Sequence, residues 1–287
     1  MSPMNRREFL VAGAGFALLA ACGSSKDDEA TVKVADPDGE VNKPGSRLNL
    51  VVASYTHVTG LDERVTMAFL NDDASGPLKP DAAVRFTIDG QDVPSELHTD
   101  GIPLPYFLIR HRFDKAGIIM VGATMGDKAG ETALQVVDPG SVALALPGRP
   151  MIATPSPTTV DARGVDPICT REPACPLHEV SLDAALAEKR PLAVLFATPA
   201  RCQSKLCGPV LDTLVAERDG FADRVRFIHI EIYAARTGDT LAPAVQASHL
   251  EQEPILFLVG ADGVVRERLD NAYDRTEARA ALGRLVS

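Results

Sequence analysis

The chain has 287 residues, 45% of them apolar, with 29 Lys and Arg against 39 Asp and Glu and a net charge of −10. That length favours two domains, and the acidic balance, with no basic cluster beyond the N-terminus, argues against a nucleic-acid or anionic-membrane surface. The 22 glycines and 21 prolines describe a globular protein with substantial linkers.

Arg6 and Arg7 precede an unbroken apolar stretch, Phe9 to Ala21, too short to span a bilayer comfortably. Asn5-Arg6-Arg7-Glu8-Phe9-Leu10 resembles a twin-arginine export signal. Leu19-Ala20-Ala21-Cys22 resembles a bacterial lipobox, in which cleavage leaves Cys22 as a lipidated N-terminus. The alternative is an uncleaved membrane anchor with an incidental cysteine. Either way the body of the protein lies outside the cytoplasm, and the lipobox resemblance implies a lipid anchor on the outer face of the bacterial cytoplasmic membrane. With the signal at 1–22, residues 23–46 are polar and charged and form a disordered tether, long enough to span roughly 27 Å as a flexible coil.

From 47 to 140 the pattern is short strands separated by turns. Leu48–Ser54, Val65–Leu70, Ala83–Ile88, Tyr106–Phe113, Gly117–Ala123 and Thr132–Val137 are the predicted strands, with Asp89-Gly90 and Asp114–Gly117 as turns. Without a helical period, they predict an antiparallel β-sandwich, immunoglobulin-like in the broad sense. His57, His98 and His111, with Met120 and Met125, match no metal-ligand spacing, so this half reads as a recognition or spacer module.

Prolines 147, 150, 155, 157 and 167 make 141–167 an extended, semi-rigid connector, and the second domain is expected over 168–287. Ser181 is placed to cap a helix over Leu182–Lys189, followed by a strand over Leu192–Ala197, short and continuously apolar as a strand buried on both faces should be. A helix over Gly208–Arg218 carries Val210, Leu211, Leu214 and Val215 on one side. A strand over Val225–Tyr233, a helix over Thr240–His249 and a hairpin of Ile255–Val259 with Val264–Leu269 come next, before a last helix capped by Asp274 with Glu277 three residues on.

Between the apolar strand and its helix runs Ala200-Arg-Cys202-Gln-Ser-Lys-Leu206-Cys207-Gly-Pro-Val210. Cys207 lies at or just before a helix N-terminus, where free amides and the helix dipole favour a thiolate. A strand, then Cys207-Gly208-Pro209, then a helix resembles the redox-active turn of the thioredoxin superfamily. Val210 stands where that family has its second cysteine, Leu206 replaces the usual tryptophan, and Cys202 is the nearest resolving thiol. The order of elements is similar to the thioredoxin fold across 168–287, so an α/β thioredoxin-like C-terminal domain is expected. Glu253-Pro254-Ile255 falls where the family has a cis-proline that docks extended peptides. The resemblance therefore implies a substrate groove formed by Cys207, Leu206, Glu253 and Pro254.

Besides Cys22 there are four cysteines, Cys169, Cys175, Cys202 and Cys207, and an even number outside the cytoplasm argues for disulfides. Short separation favours Cys169 with Cys175 and Cys202 with Cys207, while a crossed pairing would lay the first loop over the reactive turn. The Cys169 to Cys175 interval does not fit a zinc motif and the Cys202 to Cys207 interval fits marginally, so neither metal nor cofactor is expected. Thr198 lies one residue away from a peroxiredoxin spacing. His229 or His249 could supply the imidazole of a copper-delivering relative, although the strand pattern turns His229 outward.

The preferred reading is a membrane-anchored thiol-disulfide oxidoreductase, Cys207 attacking and Cys202 resolving, whose partners are cysteine-containing exported proteins or a membrane electron donor. The alternative is a non-enzymatic, partner-binding lipoprotein with a disulfide-stapled thioredoxin-like platform. No nucleic-acid partner is expected.

Overall fold

The structure, a computed structural model, describes residues 47–287. The expected export signal with Arg6 and Arg7, the expected lipidation position Cys22 and the expected tether lie outside the described residues. Within them the fold is β-rich, and no helix is long and apolar enough to cross a membrane.

The N-terminal unit holds β1 (Asn49–Val52), β2 (His57–Val58), β3 (Asp62–Leu70), β4 (Val84–Ile88), β5 (Gln91–Val93), β6 (Glu96–His98), β7 (Tyr106–Arg112), β8 (Gly117–Met125) and β9 (Lys128–Val137). They form two sheets, β1-β3-β7-β6 and β2-β9-β8-β4-β5. Between the sheets Phe69, Phe86 and Phe107 meet ring to ring, Phe86 and Phe107 with centroids 5.1 Å apart. The six predicted strands are present with shifted ends. The three unforeseen ones are two or three residues long, too short for alternation to be read. One pairing departs from the antiparallel expectation, since β2 runs parallel to β9. Gly130 admits the close crossing of the segment leading into β1: a Cβ there would lie 2.3 Å from the Leu48 carbonyl oxygen.

The second unit is a four-stranded sheet in the order β11-β10-β12-β13, made of β10 (Leu192–Ala197), β11 (Arg226–Glu231), β12 (Ile255–Val259) and β13 (Val265–Asp270). β10 is parallel to β11 and antiparallel to β12. The helices are α1 (Leu182–Ala187), α2 (Cys207–Phe221), α3 (Pro243–Ala247) and α4 (Arg275–Leu285). Leu192, Val194 and Phe196 pack with α1 and α3, whereas Ala193, Leu195 and Ala197 pack with α2 and α4. Burial on both faces is why β10 reads as an apolar run without alternation.

The proline-rich segment differs from the expected extended, semi-rigid connector in packing onto the second unit. Leu144, Ala145, Met151 and Val165 belong to the core on the α1 face, and Met151 N donates to Gly263 O at 2.8 Å. The second unit therefore begins near residue 144 rather than at 168. Prolines leave the segment few amides of its own to bond, but its apolar side chains still have a sheet face to cover. Ser156 shows the consequence: its Oγ accepts from the first amide of α1, Leu182 N, at 2.9 Å, while the expected cap Ser181 accepts from Ser156 N at 2.8 Å. Asp274 caps α4 as foreseen, accepting from Glu277 N at 2.8 Å.

A buried polar network joins the two units. Arg64 of β3 pairs with Glu277 of α4 at 2.6 and 2.7 Å, and its guanidinium also donates to the Asp270 and Ala272 carbonyls. Tyr106 donates to Glu277 and accepts from Asp274 N, and His98 meets Asp274 at 3.0 Å. Burial opposes ionisation of Glu277, yet the Arg64 charge overrides it and holds the carboxyl below its ordinary value. Glu277 therefore serves the interface instead of closing a capping box.

Candidate functional site

At the end of β10 the chain leaves the sheet and loops from Thr198 to Leu206. Arg201 N bonds Thr198 O at 3.1 Å, Lys205 N bonds Cys202 O at 3.3 Å, and Lys205 takes a φ of 59°, left-handed backbone that costs a non-glycine residue on the order of 1 kcal/mol. This double turn folds Cys202 back onto the start of α2.

Cys207 is the first residue of α2 and is 0% exposed, whereas Cys202 is only partly buried. The Cys207 amide donates to Cys202 Sγ at 3.2 Å, and Ser204 Oγ lies 3.3 Å from the same sulfur. The hydrogen bond from the Cys207 thiol, helped by Ser204 and by the Cys207 and Leu206 amides, outweighs burial and lowers the Cys202 pKa to about 6. Burial, reinforced by Cys202, pushes Cys207 up. The two sulfurs are thus differentiated in the sense opposite to that expected, because the helix start that was to activate Cys207 turns its amide to Cys202.

A Glu253 carboxylate oxygen lies within 4.8 Å of both sulfurs, and the Glu253-Pro254 bond is cis. Tyr55, from the N-terminal unit, donates its hydroxyl to Glu253 O at 2.9 Å. Pro254 and Glu253 are buried, and Leu206, 2% exposed, packs with Tyr106, Leu108 and Ala272 between the units. The expected groove of Leu206, Glu253 and Pro254 is accordingly not open. The β-sandwich takes that side, since an exposed Leu206 beside an apolar patch gains by being covered. Arg201 turns from the sulfurs, stacking over Tyr233 at 3.8 Å and pairing with Asp239 at 3.1 Å.

Cys169 and Cys175 meet elsewhere, on the α2 face of the sheet beside β11, so the cysteines form two groups by sequence neighbourhood and no crossed arrangement. All four are thiols in this structure. His229, expected to face outward, is fully buried beside Cys169 and Cys175, with His178 completing the group. Leu177 O accepts from His229 N at 2.9 Å, which brings the loop carrying His178 alongside the strand. Sequence reasoning missed His178 and weighed His229 only as the imidazole of a copper-delivering relative, away from Cys169 and Cys175. The available signals were Cys175-Pro-Leu-His178 and an imidazole between the apolar neighbours Ile228 and Ile230.

No family model and no curated protein sequence matches the chain. Among solved structures it is similar to an "IG27 protein domain", at 14% identity and a TM-score of 0.23, over 32% of this chain and 97% of the other. A "ZirS C-terminal Domain" is similar at 11% identity and a TM-score of 0.21, over 47% of this chain and 92% of the other. Likeness at this level assigns neither family nor activity.

A cleft of about 600 Å³ lies between the units among Arg64, Arg110, Arg268, Glu63 and Glu267 and includes neither cysteine group. Chemically, the Cys202 turn offers a partly exposed, acidic thiol with a second thiol behind it. That is the arrangement two-step thiol-disulfide exchange requires.

Proposed function

We propose that the protein is an extracytoplasmic thiol-disulfide oxidoreductase, with Cys202 as nucleophile and Cys207 as resolving thiol. The observation that carries the reading is the contrast at one turn: a partly exposed Cys202 sulfur receiving the Cys207 amide, and a sealed Cys207 thiol close behind it. Two structural assignments belong to this reading. The C-terminal unit is thioredoxin-like, supported by its β10–α2 turn, its sheet order and the cis Pro254, and the N-terminal sandwich is immunoglobulin-like in the broad sense.

In the reducing direction, the Cys202 thiolate attacks one sulfur of a substrate disulfide. A Cys202–substrate S–S bond forms, and the other substrate sulfur leaves as thiolate. Cys207 then gives up its proton and attacks Cys202. A Cys202–Cys207 disulfide forms and the second substrate thiolate departs, so two electrons pass from the protein to the substrate. The reverse sequence oxidises a dithiol. The substrates are cysteine-containing exported proteins or a membrane electron donor, in keeping with the twin-arginine signal and lipid anchor read in the N-terminal sequence.

A glutathione redox titration of the full-length protein, with alkylated cysteines located by peptide mass, tests the reading. Reversible formation of a Cys202–Cys207 disulfide, with Cys202 alkylating first, is the expected result. A pair that stays oxidised in the folded protein at strongly reducing poise makes the turn a staple and the protein a binding platform instead.

A further inference from the structure

The group formed by Cys169, Cys175, His178 and His229 lies apart from the redox turn and is buried at every member. Cys169 Sγ is 3.7 Å from His229 Nδ1, and Cys175 Sγ is 3.4 Å from the same nitrogen. His178 Nε2 lies 3.3 Å from Cys175 Sγ and 3.3 Å from His229 Nδ1. With Zn–S near 2.3 Å and Zn–N near 2.0–2.1 Å, the edges of a tetrahedron are about 3.5 Å for sulfur to nitrogen and about 3.3 Å for nitrogen to nitrogen. The four observed separations fall on or close to those edges.

Hydrogen bonding alone does not account for this convergence. His229 Nε2 donates to the Ala197 carbonyl at 3.1 Å, which keeps the proton on that nitrogen and leaves Nδ1 of the neutral ring with its lone pair directed into the group. One lone pair can accept from one donor, yet three polar atoms crowd around it. A cation at their centre satisfies all of them. The Cys175 amide points at Cys169 Sγ at 3.4 Å, a donor suited to a thiolate. Two thiolates and two neutral imidazoles around a divalent ion sum to zero charge, which suits a site with no solvent.

We propose that Cys169, Cys175, His178 and His229 bind one zinc ion as a closed, structural, tetrahedral site. Two sulfur and two nitrogen ligands select zinc over oxygen-seeking cations, and four protein ligands leave no position for a substrate. The ion fastens the loop 169–178 to β11. That loop also holds the redox turn: Thr170 Oγ1 accepts from Ala200 N at 3.1 Å, and Thr170 N and Oγ1 both bond Glu231 at 2.8 Å. The site does not depend on what Cys202 and Cys207 do.

The test is the metal content of the full-length protein purified without chelators, read by elemental mass spectrometry and by X-ray absorption at the zinc edge. One zinc per chain with two sulfur and two nitrogen neighbours is expected, falling to background in Cys175→Ser and His178→Ala and kept in Cys202→Ser with Cys207→Ser. Should the ligand variants fail to fold, the absorption spectrum of the unaltered protein decides by its neighbours. A metal-free protein, with Cys169 and Cys175 either free or joined by a disulfide, copper in place of zinc, or zinc lost on replacing Cys202 and Cys207 would each overturn the proposal.

Discussion

The Cys207 amide points at the Cys202 sulfur, 3.2 Å away. The first N–H of α2 thus acts on a side chain five positions earlier in the chain rather than on its own cysteine. With the Cys202 pKa at about 6, roughly nine-tenths of this thiol is ionised at pH 7, against a few per cent for an ordinary cysteine. Iodoacetamide should modify Cys202 at a rate that rises with pH to a midpoint near 6 and then levels off. Ser204→Ala removes one of the lowering hydrogen bonds and should move that midpoint upward. A midpoint at the ordinary cysteine value would contradict the assignment.

Replacing the two cysteines singly should give different products. Cys202→Ser should reduce exchange with a disulfide peptide to background. Cys207→Ser should still attack but fail to resolve, accumulating a mixed disulfide at Cys202 that intact-protein mass spectrometry detects. Trapping at position 207 in Cys202→Ser would restore the opposite roles.

Truncating Leu206 should weaken the junction of the two units. Leu206→Ala removes buried apolar atoms between Tyr106, Leu108 and Ala272, and such a cavity costs about 2–5 kcal/mol. Chemical denaturation should show a lower midpoint, and Cys202 should alkylate faster as the covered side opens.

Arg64→Ala strands the Glu277 carboxylate in the interface and should cost about 3–5 kcal/mol. Replacing both residues with apolar side chains of similar volume should be much milder, because no charge is then left unpaired. Equal losses in the single and double variants would rule the pair out as the source of the effect.

His98 and Asp274 supply a pH signature. Burial opposes the charge on each, yet their mutual hydrogen bond prevails, raising the His98 pKa and lowering that of Asp274. The Asp274 contribution is present above its unfolded value near 3.9 and is lost as pH falls through the folded one. The His98 contribution is whole below about 6.5 and is lost as pH rises through its folded value. Thermal midpoints of the unaltered protein and His98→Asn should therefore differ most between about pH 4 and 6.5.

Much of the frame was legible in the sequence because local signals decided it. β10 and β12 appear within the expected limits, since strands covered on both faces leave an apolar run bounded by turns. Asp274 was readable as a cap because capping is settled within one helical turn. What escaped depends on distant partners. His229 looked outward from its alternation with Ile228 and Ile230, but both faces of β11 are covered, so alternation carried no direction there. Leu206 looked like a groove residue until the sandwich was placed over it. The reactivity order of Cys202 and Cys207 depends on which sulfur the loop leaves accessible, and residue spacing does not encode that.

The proline-rich segment also bears on how such a protein can be rearranged by gene fusion. A cut at residue 168, where composition suggests a seam, would leave a sheet face without Leu144, Ala145, Met151 and Val165 and would take away the serine that bonds the first amide of α1. Recombination at that point should yield an aggregating product, whereas a junction at about residue 141 carries the strap along with its sheet. Shuffling of the C-terminal half onto other partners would then preserve a stretch of prolines upstream of it, inherited as part of the fold rather than as a spacer.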